Sequence, residues 1–153
     1  MTQPGPRYHV AELNIGRTVA PIDDPAMADF VANLDPINAL GDASPGFVWR
    51  LKDDSGAATS IRAFADPLMI LNLTVWESVE TLREYAYRSV HVGFLRRRRE
   101  WFVPLDGPSL VLWWVPAGHR PTVAEALERL ERLTADGPTP GAFTLKVTFP
   151  PAD

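Results

Sequence analysis

Cysteine is absent from all 153 residues, which excludes disulfides, thiolate metal sites and cysteine nucleophiles. Redox chemistry would need a bound cofactor or the substrate itself. The same absence fits a cytoplasmic protein. Long apolar runs are also missing: no segment approaches the roughly 18 apolar residues that cross a bilayer. Met1 to Pro6 carries no basic stretch followed by an apolar one, so neither membrane insertion nor secretion is expected. Positive charge is in deficit, with 15 Lys and Arg against 19 Asp and Glu and a formal charge of −4. That balance repels a phosphate backbone and sets bulk nucleic-acid binding aside. Paired histidines at metal-ligand spacing, a glycine-rich phosphate loop, a Gly-x-Ser-x-Gly elbow and clustered catalytic carboxylates do not occur. Hydrolase and kinase readings therefore have no support.

What is present is the composition of an ordinary folded domain, 46% hydrophobic and 22% charged. A chain of about 150 residues buries roughly two thirds of its unfolded surface, enough for a core without staples. One domain over residues 1–153 is expected. Tyr8 to Ile15 alternates Ala11, Leu13 and Ile15 with polar Glu12 and Asn14, the pattern of a half-buried strand. Asp24-Pro25 caps and opens a helix to about Leu34, and Asp35-Pro36 restarts a short helical turn to about Leu40. Strands follow at Phe47 to Leu51 and Leu68 to Trp76. Ser78 can cap a long helix to about Phe102, with Glu77, Glu80 and Glu84 near its positive end and four arginines near its negative end. Leu110 to Val115 is a strand with two greasy faces. Thr122 to Glu125 is a capping box for a helix ended by Gly137-Pro138, and Ala142 to Phe149 reads as a last strand.

This order predicts an α+β fold, a ferredoxin-like βαββαβ antiparallel sheet with helices on one face and an extra C-terminal helix and strand. Its other face, with Trp49 or Val48, Ile70, Trp76 and one of the paired tryptophans on it, would be open and partly apolar. Two copies pairing there would close a barrel in a homodimer.

Placing the long helix at about 100° per residue gathers Val79, Leu82, Ala86, Val90, Gly93, Arg97 and Trp101 on one buried face. An arginine there either snorkels or meets an internal acid, or it anchors a ligand in a pocket. Tyr87, His91, Phe94 and Arg98 form the neighbouring ridge, where an imidazole and a phenol would border any cavity between helix and sheet. His9 and His119 have mainly local roles, His119 in fixing its turn. Arg96 to Arg99 project in four directions and make no basic stripe. Asn14, Asn72 and Thr74 are polar strand residues that can bond neighbours or a ligand. Trp49, Trp76, Trp101, Trp113 and Trp114 can wall a site for a flat molecule, or serve as core and interface.

The stretches Pro-Gly-Phe-Val-Trp-Arg-Leu (45–51), Val-Trp-Glu-Ser-Val-Glu-Thr-Leu (75–82), Tyr-Arg-Ser-Val-His (87–91), Arg-Arg-Arg-Glu-Trp-Phe (97–102), Leu-Trp-Trp-Val-Pro-Ala-Gly-His-Arg-Pro-Thr (112–122) and Gly-Pro-Thr-Pro (137–140) resemble a bacterial domain-of-unknown-function family, DUF3291. More distantly, the strand-Trp-Glu-Ser-helix pattern resembles the antibiotic biosynthesis monooxygenase group of the dimeric α+β barrel superfamily. That resemblance implies a homodimer with a cavity between sheet and long helix. The functions it implies differ. One is a metal-free, cofactor-independent monooxygenase or isomerase acting on an aromatic or polyketide-like metabolite, with His91, Arg97 and Tyr87 as catalytic groups and Trp76, Trp101, Asn72 and Phe94 binding the ligand. The others are a non-catalytic dimeric ligand-binding protein and a haem protein with His91 as axial ligand. Fold alone does not choose among them.

Overall fold

Period-two alternation makes the first strand the hub of the sheet, and it runs further than its apolar positions require. The computed structural model describes residues 7–52, 64–88 and 97–151. In it β1 (Tyr8–Thr18) pairs antiparallel with β3 (Met69–Trp76) on one edge and with β5 (Leu110–Pro116) on the other. Outside β3 lies β2 (Phe47–Arg50), and the two-residue β4 (Phe102–Val103) meets the end of β1 at Arg17 and Thr18. The helices α1 (Ala28–Asp42) and α2 (Val79–Arg88) supply the crossovers, followed by the short α3 (Arg98–Trp101) and by α4 (Val123–Asp136). This is the expected ferredoxin-like α+β arrangement, an antiparallel sheet that stays open.

The two faces of the sheet are clothed differently. Ala11, Leu13, Leu73, Val75 and Trp113 pack beneath Ala126 and Leu133 of α4. Thr122 starts that helix by accepting the Glu125 N–H, and the Glu125 carboxylate in turn accepts from the Trp113 indole at 2.9 Å. His119 lies 2.8 Å from the other Glu125 oxygen, so its place is indeed in the turn that leads into α4. Val10, Trp76, Val79 and Leu82 form a second core under α2, and Met27, Phe30 and Trp101 a third beside α1. Ile70 and Trp76, expected on an open face, thus lie on the side that α1 and α2 cover. The extra C-terminal helix takes the other side.

Three local expectations change. Pro36 neither ends nor restarts a helix, for α1 runs through it. Phe30 near one end and Gly41 near the other are buried, Gly41 against Tyr85, and these contacts outweigh the hydrogen bond lost at proline. Residues 142–149 form no strand. A single rung joins Phe143 to Leu112, two bonds of 2.8 Å, before Thr144 and Val147 close a turn. The helix expected from Ser78 to Phe102 is seen as α2 and α3, with residues 89–96 outside the described part. No helix among the described residues is long and apolar enough to cross a membrane.

Candidate functional site

The antiparallel register decides which side chains share the floor beneath α1 and α2. Glu12 lies opposite Thr74, and Arg50 lies opposite Thr74 on its other side, so one row of polar groups crosses three strands. In the next row Asn14 faces Asn72. Five polar residues are thereby set on a surface that otherwise carries Ile70, Trp76 and Phe47. Above them Phe30, Leu34 and Ile37 of α1 and Leu82 and Tyr85 of α2 form the roof of a cavity of 380 Å³. That lies toward the small end of cavities that hold small ligands, on the order of 300–1,000 Å³.

Glu12 is the chemical centre of this floor. Its residue exposure is only 5%. Oε2 accepts a hydrogen bond from the Thr74 hydroxyl at 2.6 Å, and Oε1 accepts one from Asn14 Nδ2 at 2.6 Å. The Trp76 indole N–H donates to the same Thr74 oxygen at 3.0 Å, which leaves the hydroxyl proton directed at Glu12. Among the described residues no cation pairs with the carboxylate. Burial raises its pKa above the ordinary glutamate value, and the bonds from Asn14 and Thr74 oppose that rise without cancelling it. A carboxyl so placed can hold its proton and donate it, or take one from a ligand.

Tyr85 stacks on Trp76 with ring centroids 5.1 Å apart, and its hydroxyl reaches the Ile37 carbonyl at 3.4 Å. Burial, and then the negative charge of Glu12, push the phenol up to about 12, so it stays a neutral donor. At the far end of the polar row Arg50 is held by Asp42, the last residue of α1.

Of the residues singled out from the sequence, Trp76, Asn72 and Tyr87 line the cavity. Tyr87 does so from the rim, at 57% exposure. Trp101 is buried elsewhere, edge-on to Phe30 at 5.6 Å. Arg97 is also outside the cavity: it bonds Asp29 and Glu100, each at 2.9 Å, and its guanidinium covers the Trp101 ring at 4.7 Å. Those bonds raise its pKa, with Glu100 the larger cause. Arg97 pairs with acids, but with exposed ones rather than the internal acid expected. The helical arc had placed it inside, but Arg97 stands in a turn just before α3. Arg97→Ala is therefore expected to leave ligand uptake by the cavity unchanged, as a titration with an apolar fluorophore would measure. His91 and Phe94 lie outside the described residues.

Glu12, Tyr85 and Arg50 were not foreseen. Their signal was available only by pairing strands: Glu12 and Asn14 alternate in one strand, Asn72 and Thr74 in another, and an antiparallel register joins them on one face. Among the described residues no group of three or more histidines and carboxylates could hold a metal ion.

An open antiparallel sheet with a polar-floored cavity under two helices defines a ferredoxin-like α+β protein. The chain belongs to the family described as Domain of unknown function (DUF3291), whose model matches residues 9–153. No curated protein matches it. Among solved structures it is similar to PA3566 from Pseudomonas aeruginosa, at 10% identity and TM-score 0.50, over 76% of this chain and 100% of that one. It is also similar to SnoaB, a cofactor-independent oxygenase from Streptomyces nogalater, at 16% identity and TM-score 0.46, over 76% and 98% of the two chains. A protein from Nitrosomonas europaea assigned to the antibiotic biosynthesis monooxygenases aligns at 9% identity and TM-score 0.48, over 80% and 100%. At these identities the likeness is one of fold.

Proposed function

We propose that the chain is a small-molecule enzyme that binds an aromatic or polyketide-like metabolite between its sheet and helices and withdraws a proton from it, without a metal or other cofactor. Glu12 carries this reading: a buried carboxyl of raised proton affinity, without a cation partner among the described residues, on the floor of an apolar cavity. Burying such a group is costly, because an apolar residue would fill the position at lower cost. As carboxylate, Glu12 takes the proton of an acidic C–H or phenolic O–H. The electron pair left behind spreads onto the substrate oxygen, where the Asn72 amide N–H can stabilise it. Return of the proton to a different carbon completes an isomerisation. With dioxygen as oxidant, a carbanion formed from a CH2 group adds oxygen and takes the proton back from Glu12 as a hydroperoxide; loss of the second C–H with O–O cleavage then leaves a carbonyl and releases water.

The test is deuterium uptake from heavy water into a panel of enolisable aromatic ketones and quinols, followed by NMR. Exchange catalysed by the wild type and lost in Glu12→Gln is the expected result. Exchange that survives the substitution, or none across the panel, contradicts the assignment. The cytoplasmic homodimer expected from the sequence belongs to the same reading, and sedimentation of the purified chain as a pair would support it.

A further inference from the structure

We propose that Arg50 anchors an ionised carboxylate on the substrate, so that the site takes aromatic or polyketide-like acids in preference to their neutral counterparts. This deepens the function proposed above and rests on it. Arg50 occupies the same cross-strand row as Glu12, with Thr74 between them, which puts their backbone positions about 9–10 Å apart along the floor at two strand spacings. A one- or two-ring molecule spans such a distance with an acidic C–H or O–H at one end and a carboxylate at the other. The Arg50 side chain is only 11% exposed and lines the cavity.

The protein itself displays the ligand geometry. Asp42 presents its carboxylate side-on to the guanidinium, with Nε to Oδ1 at 3.3 Å and Nη2 to Oδ2 at 3.1 Å. This is the two-pronged mode by which arginine recognises carboxylates generally. Asp42 is suited to be displaced. Its side chain is 44% exposed, and as the last residue of α1 it sits at the negative end of the helix, where a carboxylate is disfavoured. A substrate carboxylate can take its place at Arg50 while Asp42 turns to water, and the guanidinium keeps a counter-ion throughout. The step moves charge partners and breaks no covalent bond.

Calorimetric titration of the full chain with 6-hydroxy-2-naphthoic acid and with its methyl ester tests this. The wild type should bind the acid at least about tenfold tighter than the ester, as a charge-assisted pair allows. Arg50→Gln should abolish that preference by weakening only the acid. Asp42→Asn, which removes the charge of the bidentate carboxylate partner and leaves the arginine, should tighten the acid several-fold and leave the ester unchanged. Equal binding of acid and ester by the wild type, or equal weakening of both by Arg50→Gln, overturns the anchor; ester binding keeps the cavity reading intact. If Arg50→Gln does not fold, unchanged acid affinity in Asp42→Asn overturns the anchor alone. Failure of both compounds to bind the wild type overturns the cavity reading together with the anchor.

Discussion

Glu12→Gln should lower turnover by about 10²–10⁴-fold, the usual span for loss of a positioned acid or base. The chain should remain folded and become less sensitive to alkali. Glutamine keeps the shape of the side chain and one oxygen acceptor, so it retains one of the two bonds from Asn14 and Thr74, but it cannot take a proton. The stability effect follows from the direction of the pKa shift. Because burial raises the Glu12 pKa in the fold, the folded chain holds this proton more tightly than the unfolded one. The corresponding stabilisation is full below the unfolded glutamate value of about 4.3 and is lost as pH climbs through the raised folded value. Wild-type melting temperature should thus fall across that window, and Glu12→Gln should remove that part of the decline. Asp66, lowered mainly by the Leu68 N–H and then by Arg17, and Glu100, lowered by Arg97, act in the opposite sense at more acid pH. Melts of both proteins from weakly acid to alkaline pH separate the contributions.

Trp76→Ala should be the most damaging single change to stability, costing about 3–5 kcal/mol, or roughly 6–20 °C in melting temperature. Trp76 is 1% exposed and fills the junction of three elements: it stacks on Tyr85 of α2, meets Phe47 of β2 edge-on at 5.6 Å, and donates to Thr74 on its own strand. Truncation opens a void between sheet and α2, and it frees the Thr74 hydroxyl from the donor that aims its proton at Glu12. Trp76→Phe keeps much of the ring packing and loses the indole N–H. It should therefore recover most of the stability while the proton affinity of Glu12 still rises. Thermal melts report the first effect and the pH dependence of turnover the second.

The framework of the sheet was legible because its signals are local. Alternation in β1, the capping box at Thr122 and the glycine at 137 each act within a few residues, and strand positions followed from them. Pro36 misled because its penalty is local, whereas the contacts of Phe30 and Gly41 that override it come from distant parts of the chain. The apolar run at 142–149 misled for a related reason: a strand needs a partner along its length, and here only single bridges form, Phe143 to Leu112 and Ala142 to Thr139. The site was legible in its walls and obscure in its chemistry. Trp76, Asn72 and Tyr87 follow from their elements, but Glu12 acquires meaning only when the register sets it beside Thr74, and nothing in its own neighbourhood distinguishes it from a solvated strand residue. Arg97 stood out by its place on an extrapolated helical arc, and the acids that occupy it, Asp29 and Glu100, include one far away in sequence.

The protonation of Glu12 is the central claim, and the most direct measurement is a pH titration of the carboxyl carbons by NMR in glutamate-labelled protein, with Glu12→Gln to assign the resonance. One carboxyl should titrate above the ordinary glutamate range, vanish in the variant, and move when a naphthoic acid or phenol enters the cavity. A Glu12 resonance that titrates near or below about 4.3 would contradict the claim, because the buried group would then be an ordinary ionised carboxylate without the proton affinity the chemistry needs.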